Sequence, residues 1–271
     1  MTSSKIEDVF QELKKRREAA LIGYLTAGLP SPEQAPAAAE ALIRGGVDIL
    51  ELGVPFSDPI ADGPTIQASS NRALSLGVTP ETVFNTVKKI RSKHQQIPIV
   101  LLTYYNPIYK MGVNRFMETC RSSGVNGLVV PDLPIEEADD YRSSAEKHGV
   151  DTIFLASPAT SVERLRKIVD ATSGFLYLVS LYGVTGARSQ MNVSSLDLVK
   201  RFKPYTKGKV NLAVGFGISK PEHVKSVIAA GADGAIVGSA FVKLLNEDIP
   251  VKRMLKQLQD LAASLKAATK P

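Results

Sequence analysis

One segment of the chain combines three carboxylates with a strand-like apolar run and a loop rich in glycine and proline. Glu51 lies within the run Leu50–Leu52, and Asp58 and Asp62 follow in the loop that ends at Pro64. An unpaired carboxylate in apolar surroundings is unfavourable, so Glu51 requires either a partner or a raised pKa. Two carboxyl groups in different environments at one strand end can act as general acid and general base. We therefore expect a reaction at this segment.

Eight short apolar runs alternate with amphipathic helical stretches, and each run predicts a β-strand. The runs are Ala20–Thr26, Val47–Leu52, Ile97–Tyr104, Gly127–Val130, Asp151–Leu155, Phe175–Ser180, Val210–Gly215 and Gly234–Val237. This alternation predicts a parallel sheet covered by helices. Eight such units close most simply into a single (β/α)8 TIM barrel, an α/β fold of one domain over residues 1–271. A doubly wound open sheet is the alternative, but it requires edge strands, and no run is polar enough for one.

Two amphipathic helices lie outside the repeating units. An extra N-terminal helix, Ile6–Arg17, is expected to plug the bottom of the barrel, and Pro250–Lys266 is expected to be the closing helix. Several other helices have start signals in which Ser or Thr is followed by Pro or Glu. We expect N-caps at Ser31 and Ser219, and less complete versions of the same signal at Thr79 and Ser161.

In a barrel of this type, reactive groups gather at the carboxyl ends of the strands and in the loops that follow. The polar side chains expected there include Tyr24, Thr26, Glu51, Asp62, Tyr104, Asn106, Asp132 and Tyr177. A strand-terminal acid at the barrel mouth is more often functional than structural, which favours a functional Glu51 over a carboxylate that caps a loop or forms an ion pair. The structural alternative is stronger for Asp62, because Ala-Asp-Gly-Pro is also ordinary turn chemistry. Asp58-Pro59 is a turn as well, and we predict no catalytic role for Asp58.

Glycines at the last three strand ends predict a phosphate site. Gly183, Gly186, Gly215, Gly217 and Gly238 lie where the backbone must approach something closely, and Gly238 opens a helix. Backbone N–H groups at a helix start beside such loops can hold a phosphate without lysine. A turn glycine would explain any one of these positions alone, so the prediction depends on the three loops together.

The composition excludes several classes of function. The formal charge is +6, but the basic residues are scattered over predicted helices and interleaved with acids, which does not indicate a nucleic-acid surface. Cys120 is the single cysteine, so neither an internal disulfide nor a cysteine zinc site can form. No spacing of His, Asp and Glu resembles a metal site, and none is predicted. No run is long enough to span a membrane, and we expect a cytoplasmic protein.

The motifs together resemble the tryptophan synthase alpha chain family over nearly the whole sequence. They are Leu50–Gln67, Leu101–Pro107, Pro131–Pro134, Tyr177–Gly186, Gly215–Ser219 and Gly238–Ser239. The resemblance implies a lyase that cleaves indole-3-glycerol phosphate to indole and glyceraldehyde 3-phosphate. General phosphate-binding barrels share the glycine loops but not the segment from Glu51 to Gln67.

The resemblance also implies roles for individual residues. Asp62 would act at the indole nitrogen, and Glu51 would be the general acid and base at C3 and at the adjacent hydroxyl, with Tyr177 hydrogen-bonding near it. Indole would lie among Tyr24, Ile66, Leu102, Tyr104 and Phe216. The phosphate would be held by Gly186, Gly217, Gly238 and Ser239, and Thr185 would close a loop over the site.

The implied partner is the beta chain of tryptophan synthase, in a complex of two alpha and two beta chains. The partner is expected to carry pyridoxal phosphate, whereas this chain needs no cofactor. The contact surface would lie around Pro55–Pro59, Asn106-Pro107 and Leu133-Pro134. Two alternatives stay open: another phosphate-metabolite barrel enzyme, and a non-catalytic barrel that only activates the beta chain.

Three positions depart from the family pattern. Leu181-Tyr182 occupies a position where many members have an arginine followed by a small residue, and Leu29-Pro30 replaces a common Asp-Pro. Tyr24 stands where phenylalanine is common, which adds a hydroxyl to the expected indole pocket. None of these departures involves Glu51, Asp62 or the phosphate glycines.

Overall fold

The computed structural model describes residues 4–179 and 193–270, without the side chains of 193–195. Nine strands in these residues form one parallel sheet. They are β1 (Ala20–Thr26), β2 (Ile49–Gly53), β3 (Ile99–Leu102), β4 (Gly127–Val129), β5 (Asp151–Ile153), β6 (Leu155–Ala156), β7 (Phe175–Leu178), β8 (Asn211–Val214) and β9 (Gly234–Val237). Their hydrogen-bonded order is β5-β4-β3-β2-β1-β9-β8-β7-β6.

Twelve α-helices accompany these strands in the described residues. They are α1 (Lys5–Lys15), α2 (Ala35–Arg44), α3 (Pro64–Ser75), α4 (Pro80–Lys93), α5 (Tyr105–Met111), α6 (Val113–Ser123), α7 (Asp139–His148), α8 (Val162–Ala171), α9 (Val193–Thr206), α10 (Pro221–Ala229), α11 (Ser239–Leu245) and α12 (Val251–Ala267). The helix predicted over Ile6–Arg17 is α1, and the predicted closing helix is α12. No helix in the described parts of the chain has both the length and the apolar character needed to cross a bilayer.

The sheet closes into a barrel at Phe154, the residue between β5 and β6. β5 pairs with β4, and β6 pairs with β7, so the predicted fifth strand changes its hydrogen-bonding partner at this residue. The Tyr177 N–H donates to the Phe154 carbonyl at 3.0 Å across the join. The predicted TIM barrel is therefore confirmed, and the single strand predicted over Asp151–Leu155 is corrected to two segments.

Several predicted strands were longer than the observed ones. The clearest case is the run Ile97–Tyr104, of which only Ile99–Leu102 is strand. Tyr104 is instead the extended residue directly before α5 and is 2% exposed. Apolar runs continue past the strand ends because residues at the barrel mouth are buried too, so burial does not mark where the ladder of hydrogen bonds stops.

The barrel interior is filled at its lower end by α1. Ile6, Phe10 and Leu13 of this helix are buried together with inward-facing strand residues. The ring of Phe10 lies 6.1 Å from the ring of Phe175 on β7. The strand residues of this cluster are Ala20, Ile22, Ile49, Val100, Val129, Ile153, Phe175, Tyr177, Ala213 and Ile236. The predicted plug is therefore confirmed, and polar groups of the interior lie toward the opposite end.

Helix caps agree with the sequence signals at two positions and disagree at two. Thr79 and Ser161 accept hydrogen bonds from backbone N–H groups of α4 and α8, as expected. The N-caps predicted at Ser31 and Ser219 were wrong, because α2 begins only at Ala35 and α10 begins at Pro221. A proline at the first helical position makes its immediate neighbour the cap, so Lys220 takes this position instead of Ser219.

Candidate active site

Glu51 projects into the barrel interior from the middle of β2, two residues before the strand ends at Gly53. It pairs in parallel register with Tyr24 of β1, and its side chain alternates with that of Leu50, which faces the helices. The residue is 0% exposed, and neither carboxyl oxygen has a hydrogen-bond partner among the described residues. Burial, and then the charge of Asp62, raises the pKa of Glu51 to about 8. Glu51 is therefore protonated at neutral pH.

Asp62 lies in the loop after β2 and is held by Tyr104. The Tyr104 hydroxyl donates to Oδ2 of Asp62 at 3.1 Å and accepts a hydrogen bond from the Ala61 N–H at 3.0 Å. The ring of Phe56, in the same loop, stacks on the Tyr104 ring with centroids 5.2 Å apart. Burial raises the pKa of Asp62 to about 6, and the Tyr104 hydrogen bond opposes part of this shift. Asp62 is therefore mostly ionised at neutral pH.

The third carboxylate of the segment does not join this pair. Asp58 is exposed and accepts a hydrogen bond from the hydroxyl of Ser57, its neighbour in the chain. This placement agrees with the turn predicted from the sequence.

Tyr24 lies over Gly53, the last residue of the adjacent strand β2, and Tyr177 lies over Gly215, the residue directly after the adjacent strand β8. A Cβ on Gly53 would lie 2.0 Å from the Tyr24 hydroxyl, and a Cβ on Gly215 would lie 2.1 Å from a ring carbon of Tyr177. Burial raises the pKa of both hydroxyls, and the charge of Glu51 adds to the shift at Tyr177. Both phenols are therefore neutral hydrogen-bond donors beside the carboxyl pair. The close approach expected at Gly215 is to Tyr177 of the same chain rather than to a ligand.

A small apolar cluster lies beside these groups. Tyr24, Ile66 and Leu102, three of the five residues predicted to line an indole pocket, pack together with Val242 of α11. Val242 was missed in the sequence, although it lies one helical turn after the helix start at Ser239 and therefore faces the same side. Tyr104 stacks on Phe56 rather than in this cluster, and Phe216 belongs to the larger cluster between the strands and helices.

The predicted phosphate residues fall partly in the described structure. Gly217 has a positive φ of 67° and open space on the side where a Cβ would lie, and Gly238 directly precedes α11, which begins at Ser239. Thr185 and Gly186 lie outside the described residues. His223 was not predicted to contribute, yet its Nδ1 accepts a hydrogen bond from the Ser219 N–H at 3.3 Å and so holds the loop that bears Gly217.

This arrangement is suited to acid and base catalysis. The two carboxyl groups lie close enough for the charge of Asp62 to raise the pKa of Glu51, and their pKa values lie on either side of neutrality, so one can donate a proton while the other accepts a hydrogen bond. Within the described residues, no group of three or more His, Cys, Asp or Glu side chains is arranged to hold a metal ion.

The family model and the most similar relatives that we compared all carry the same family description. Residues 10–270 match the family model described as tryptophan synthase alpha chain. The chain is 48% identical to the tryptophan synthase alpha chain of Methanosarcina acetivorans, over 97% of this chain and 93% of that protein. It is 45% identical to the one from Arabidopsis thaliana, over 97% and 94%.

Solved structures extend the likeness to the fold. The structure of Mycobacterium tuberculosis tryptophan synthase matches with a TM-score of 0.90 and 37% identity, over 100% of both chains. A chain of the tryptophan synthase α2β2 complex from Pyrococcus furiosus matches with a TM-score of 0.85 and 45% identity, over 92% of this chain and 98% of that one. On this evidence, the chain belongs to the tryptophan synthase alpha chain family.

Proposed function

We propose that Glu51 and Asp62 are the acid/base pair with which this chain carries out the reaction of its family. That reaction cleaves indole-3-glycerol phosphate to indole and glyceraldehyde 3-phosphate, a step of tryptophan biosynthesis. The observation that carries the proposal is that Glu51 is fully buried with no hydrogen-bond partner among the described residues, while the neighbouring carboxylate of Asp62 is held by the Tyr104 hydroxyl, so that burial raises the pKa of Glu51 above that of Asp62. The reaction requires both a proton donor and an anion at neutral pH.

Glu51 acts first as an acid and then as a base. Its carboxyl proton moves to C3 of the indole ring, and the carboxylate of Asp62 accepts a hydrogen bond from the ring N–H while positive charge develops there. The Glu51 carboxylate then removes the proton of the side-chain hydroxyl next to C3. The oxygen electrons form the aldehyde, the carbon–carbon bond breaks, and its electron pair restores the indole ring. Glu51 ends protonated as it began.

This order of proton transfers predicts how the rate of cleavage depends on pH. Protonation of Asp62 removes the negative charge that stabilises the positive charge at the ring nitrogen, so the rate falls below about pH 6. Ionisation of Glu51 removes the proton donor, so the rate falls above about pH 8. Because the charges of Glu51 and Asp62 interact, the two pH limits describe the titration of the pair and not of either residue alone.

The remaining predicted residues would bind the substrate. Tyr24, Ile66, Leu102 and Phe216 would contact the indole ring, Tyr104 would lie at its edge, and Tyr177 would donate a hydrogen bond near Glu51. Gly186, Gly217, Gly238 and Ser239 would bind the phosphate through backbone N–H groups, with Thr185 closing the site. The support in the described residues is the cluster of Tyr24, Ile66 and Leu102 and the open backbone at Gly217.

The tryptophan synthase beta chain is the partner of this family. We propose that the contact lies at Pro55–Pro59, Asn106-Pro107 and Leu133-Pro134, that the beta chain supplies pyridoxal phosphate, and that this chain uses no cofactor of its own. Proline-stiffened apolar loops favour docking because they lose little conformational entropy. We further propose that residues 1–271 act as one domain in the cytoplasm.

Measuring indole release from indole-3-glycerol phosphate tests the proposed roles. Glu51→Gln and Asp62→Asn are each expected to reduce kcat by a factor of at least about 100, because each removes a group used in the transition state. Both variants are assayed with and without a beta chain. Asp58→Asn, an exposed acid of the same loop, is the matched control in the assay without a beta chain and is expected to retain activity there. Full turnover by both variants would refute the assignment, and turnover of a different phosphorylated metabolite alone would indicate another barrel enzyme.

A further inference from the structure

Asp132 makes an unusual contact between two loops at the barrel mouth. It follows β4, and both of its carboxyl oxygens accept the backbone N–H of Tyr105, at 2.9 and 3.1 Å. Tyr105 is the first residue of α5, and Tyr104 before it provides no side-chain cap. Asp132 therefore supplies, from a neighbouring strand, the acceptor that the first turn of α5 would otherwise lack.

The residue fixed by this contact is the one that holds Asp62. Tyr104 is 2% exposed, its ring stacks on Phe56, and its hydroxyl joins Asp62 to the Ala61 N–H. The Tyr104 hydroxyl can therefore reach Asp62 only while its own backbone stays in place. The Asp132 contact fixes that backbone at the next peptide group.

We propose that Asp132 is a positioning residue for Asp62, acting through the Tyr105 backbone and the Tyr104 hydroxyl. The proposal rests on the proposed function in one respect, that Asp62 takes part in the reaction. It gives a specific role to Asp132, which the sequence places at the barrel mouth but to which the proposed acid/base steps give none.

The loop that bears Asp132 and the loop that bears Asp62 also meet at a cavity. Ile60 and Ala61 from the loop after β2, and Asp132 and Leu133 from the loop after β4, line one cavity of about 580 Å³ at the barrel mouth. A shift of either loop changes this shared space. The Asp132 contact is therefore well placed to keep the Asp62 loop in register with its neighbour.

A direct charge effect of Asp132 on Asp62 is the competing explanation, and the two predict opposite shifts. The titratable groups that face Asp62 in the described residues are Glu51, Tyr24, Tyr104 and Tyr177. Loss of the Tyr104 hydrogen bond would raise the pKa of Asp62, since that bond stabilises its ionised form. Loss of a nearby negative charge would instead lower this pKa.

A double-mutant cycle between Asp132 and Tyr104 tests the proposal. Asp132→Ala and Tyr104→Phe are each expected to reduce kcat about tenfold with little change in KM, because a hydrogen bond to a charged group is lost. The acid limb of the pH–rate profile should move to higher pH in both variants. In the Tyr104→Phe background, Asp132→Ala should cause no further loss of kcat.

Two further variants separate positioning from folding. Asp132→Asn keeps one carbonyl acceptor for the Tyr105 N–H and should recover most of kcat, while Asp140→Asn, an exposed acid nearby, is the control for lost charge. Thermal unfolding identifies a variant that fails to fold. If Asp132→Ala fails to fold, the kcat of Asp132→Asn tests the positioning role instead. The proposal would be overturned if the kcat losses of Asp132→Ala and Tyr104→Phe multiply in the double variant. It would also be overturned if the acid limb of the pH–rate profile moves to lower pH in Asp132→Ala. Full activity of Asp62→Asn would instead refute the proposed function itself.

Discussion

The buried carboxyl group of Glu51 is unfavourable for folding, and we propose that it is present for the reaction. A carboxyl group with no hydrogen-bond partner among the described residues is stable in the barrel interior only while it is protonated. An amide or an apolar side chain would suit the same position better. The raised pKa is therefore both the sign of the unfavourable environment and the property that makes Glu51 a proton donor at neutral pH.

Because the buried carboxyl group is unfavourable for folding but needed as a proton donor, we expect Glu51→Gln to stabilise the protein while it removes activity. The pKa of Glu51 is 4.5 in ordinary surroundings and about 8 in the folded chain, so the folded state binds more protons between these values. Wild-type stability therefore falls as pH rises from about 4.5 to about 8, and the variant lacks this decline. We expect the variant to be more stable by an amount on the order of a few kcal/mol at pH 8 and by little at pH 5. Urea unfolding at pH 5 and at pH 8 measures this difference in the free energy of unfolding.

The exposed acid Asp58 provides the comparison for this experiment. Asp58→Asn is expected to change the free energy of unfolding by less than about 0.5 kcal/mol at either pH, as is usual for surface substitutions. A Glu51→Gln variant that is no more stable than wild type at pH 8 would show that the carboxyl has a partner in the folded protein.

At the scale of single elements, Arg91 fixes the turn that leads from α4 into β3. Its guanidinium donates to the carbonyls of Gln95, Ile97 and Gly124 at 2.7 to 2.8 Å and to Oδ1 of Asn126 at 2.9 Å. This turn lies at the amino end of the strands, away from the carboxyl pair. Arg91 therefore serves the fold rather than the reaction.

Arg91→Lys is expected to destabilise the chain by about 2 kcal/mol, because one ammonium group cannot satisfy acceptors on both sides of the turn. The kcat and KM values should stay within about twofold of wild type, since the pocket is formed by other residues. Urea unfolding and indole release measure the two properties on the same preparation. Lys93→Arg, an exposed change on the same helix, is the control, and an equal loss of stability there would refute the explanation.

The sequence predicted the strands and the plug better than the contacts between loops. Strands were recognisable because apolar runs alternate with helical stretches, and Glu51 was recognisable because a carboxylate interrupts one run. The change of strand partner at Phe154 was not recognisable, because inward-facing and outward-facing side chains alternate without a break through this residue. The bond from Asp132 to Tyr105 joins positions 27 residues apart, and only the closed barrel brings them together.

At the scale of the whole molecule, the barrel mouth carries exposed apolar side chains that fit a docking surface. Tyr109 on α5 is 72% exposed and Ile60 in the loop after β2 is 81% exposed. Both lie near segments for which we propose contact with the beta chain. Exposed tyrosines at such surfaces often contribute strongly to binding because they bury a large area with few rotatable bonds.

Tyr109→Ser is expected to weaken binding of the beta chain about tenfold, as an interface tyrosine with a contribution of about 1.4 kcal/mol would. The kcat of the isolated chain should change little, because Tyr109 is turned away from the pocket toward solvent. Calorimetric titration with a beta chain measures the affinity. Lys110→Ser on the same helix is the matched control, and equal affinities for both variants and wild type would place the contact elsewhere.

The helix that fills the lower end of the barrel has a consequence for the product. Ile6, Phe10 and Leu13 fill the interior at the amino end of the strands, so within the described residues α1 closes that end of the barrel. Indole formed beside Glu51 has one direction of travel, outward past the ends of the strands, and that is the side on which we place the second enzyme. The filled amino end of the barrel therefore directs the product toward the proposed contact surface.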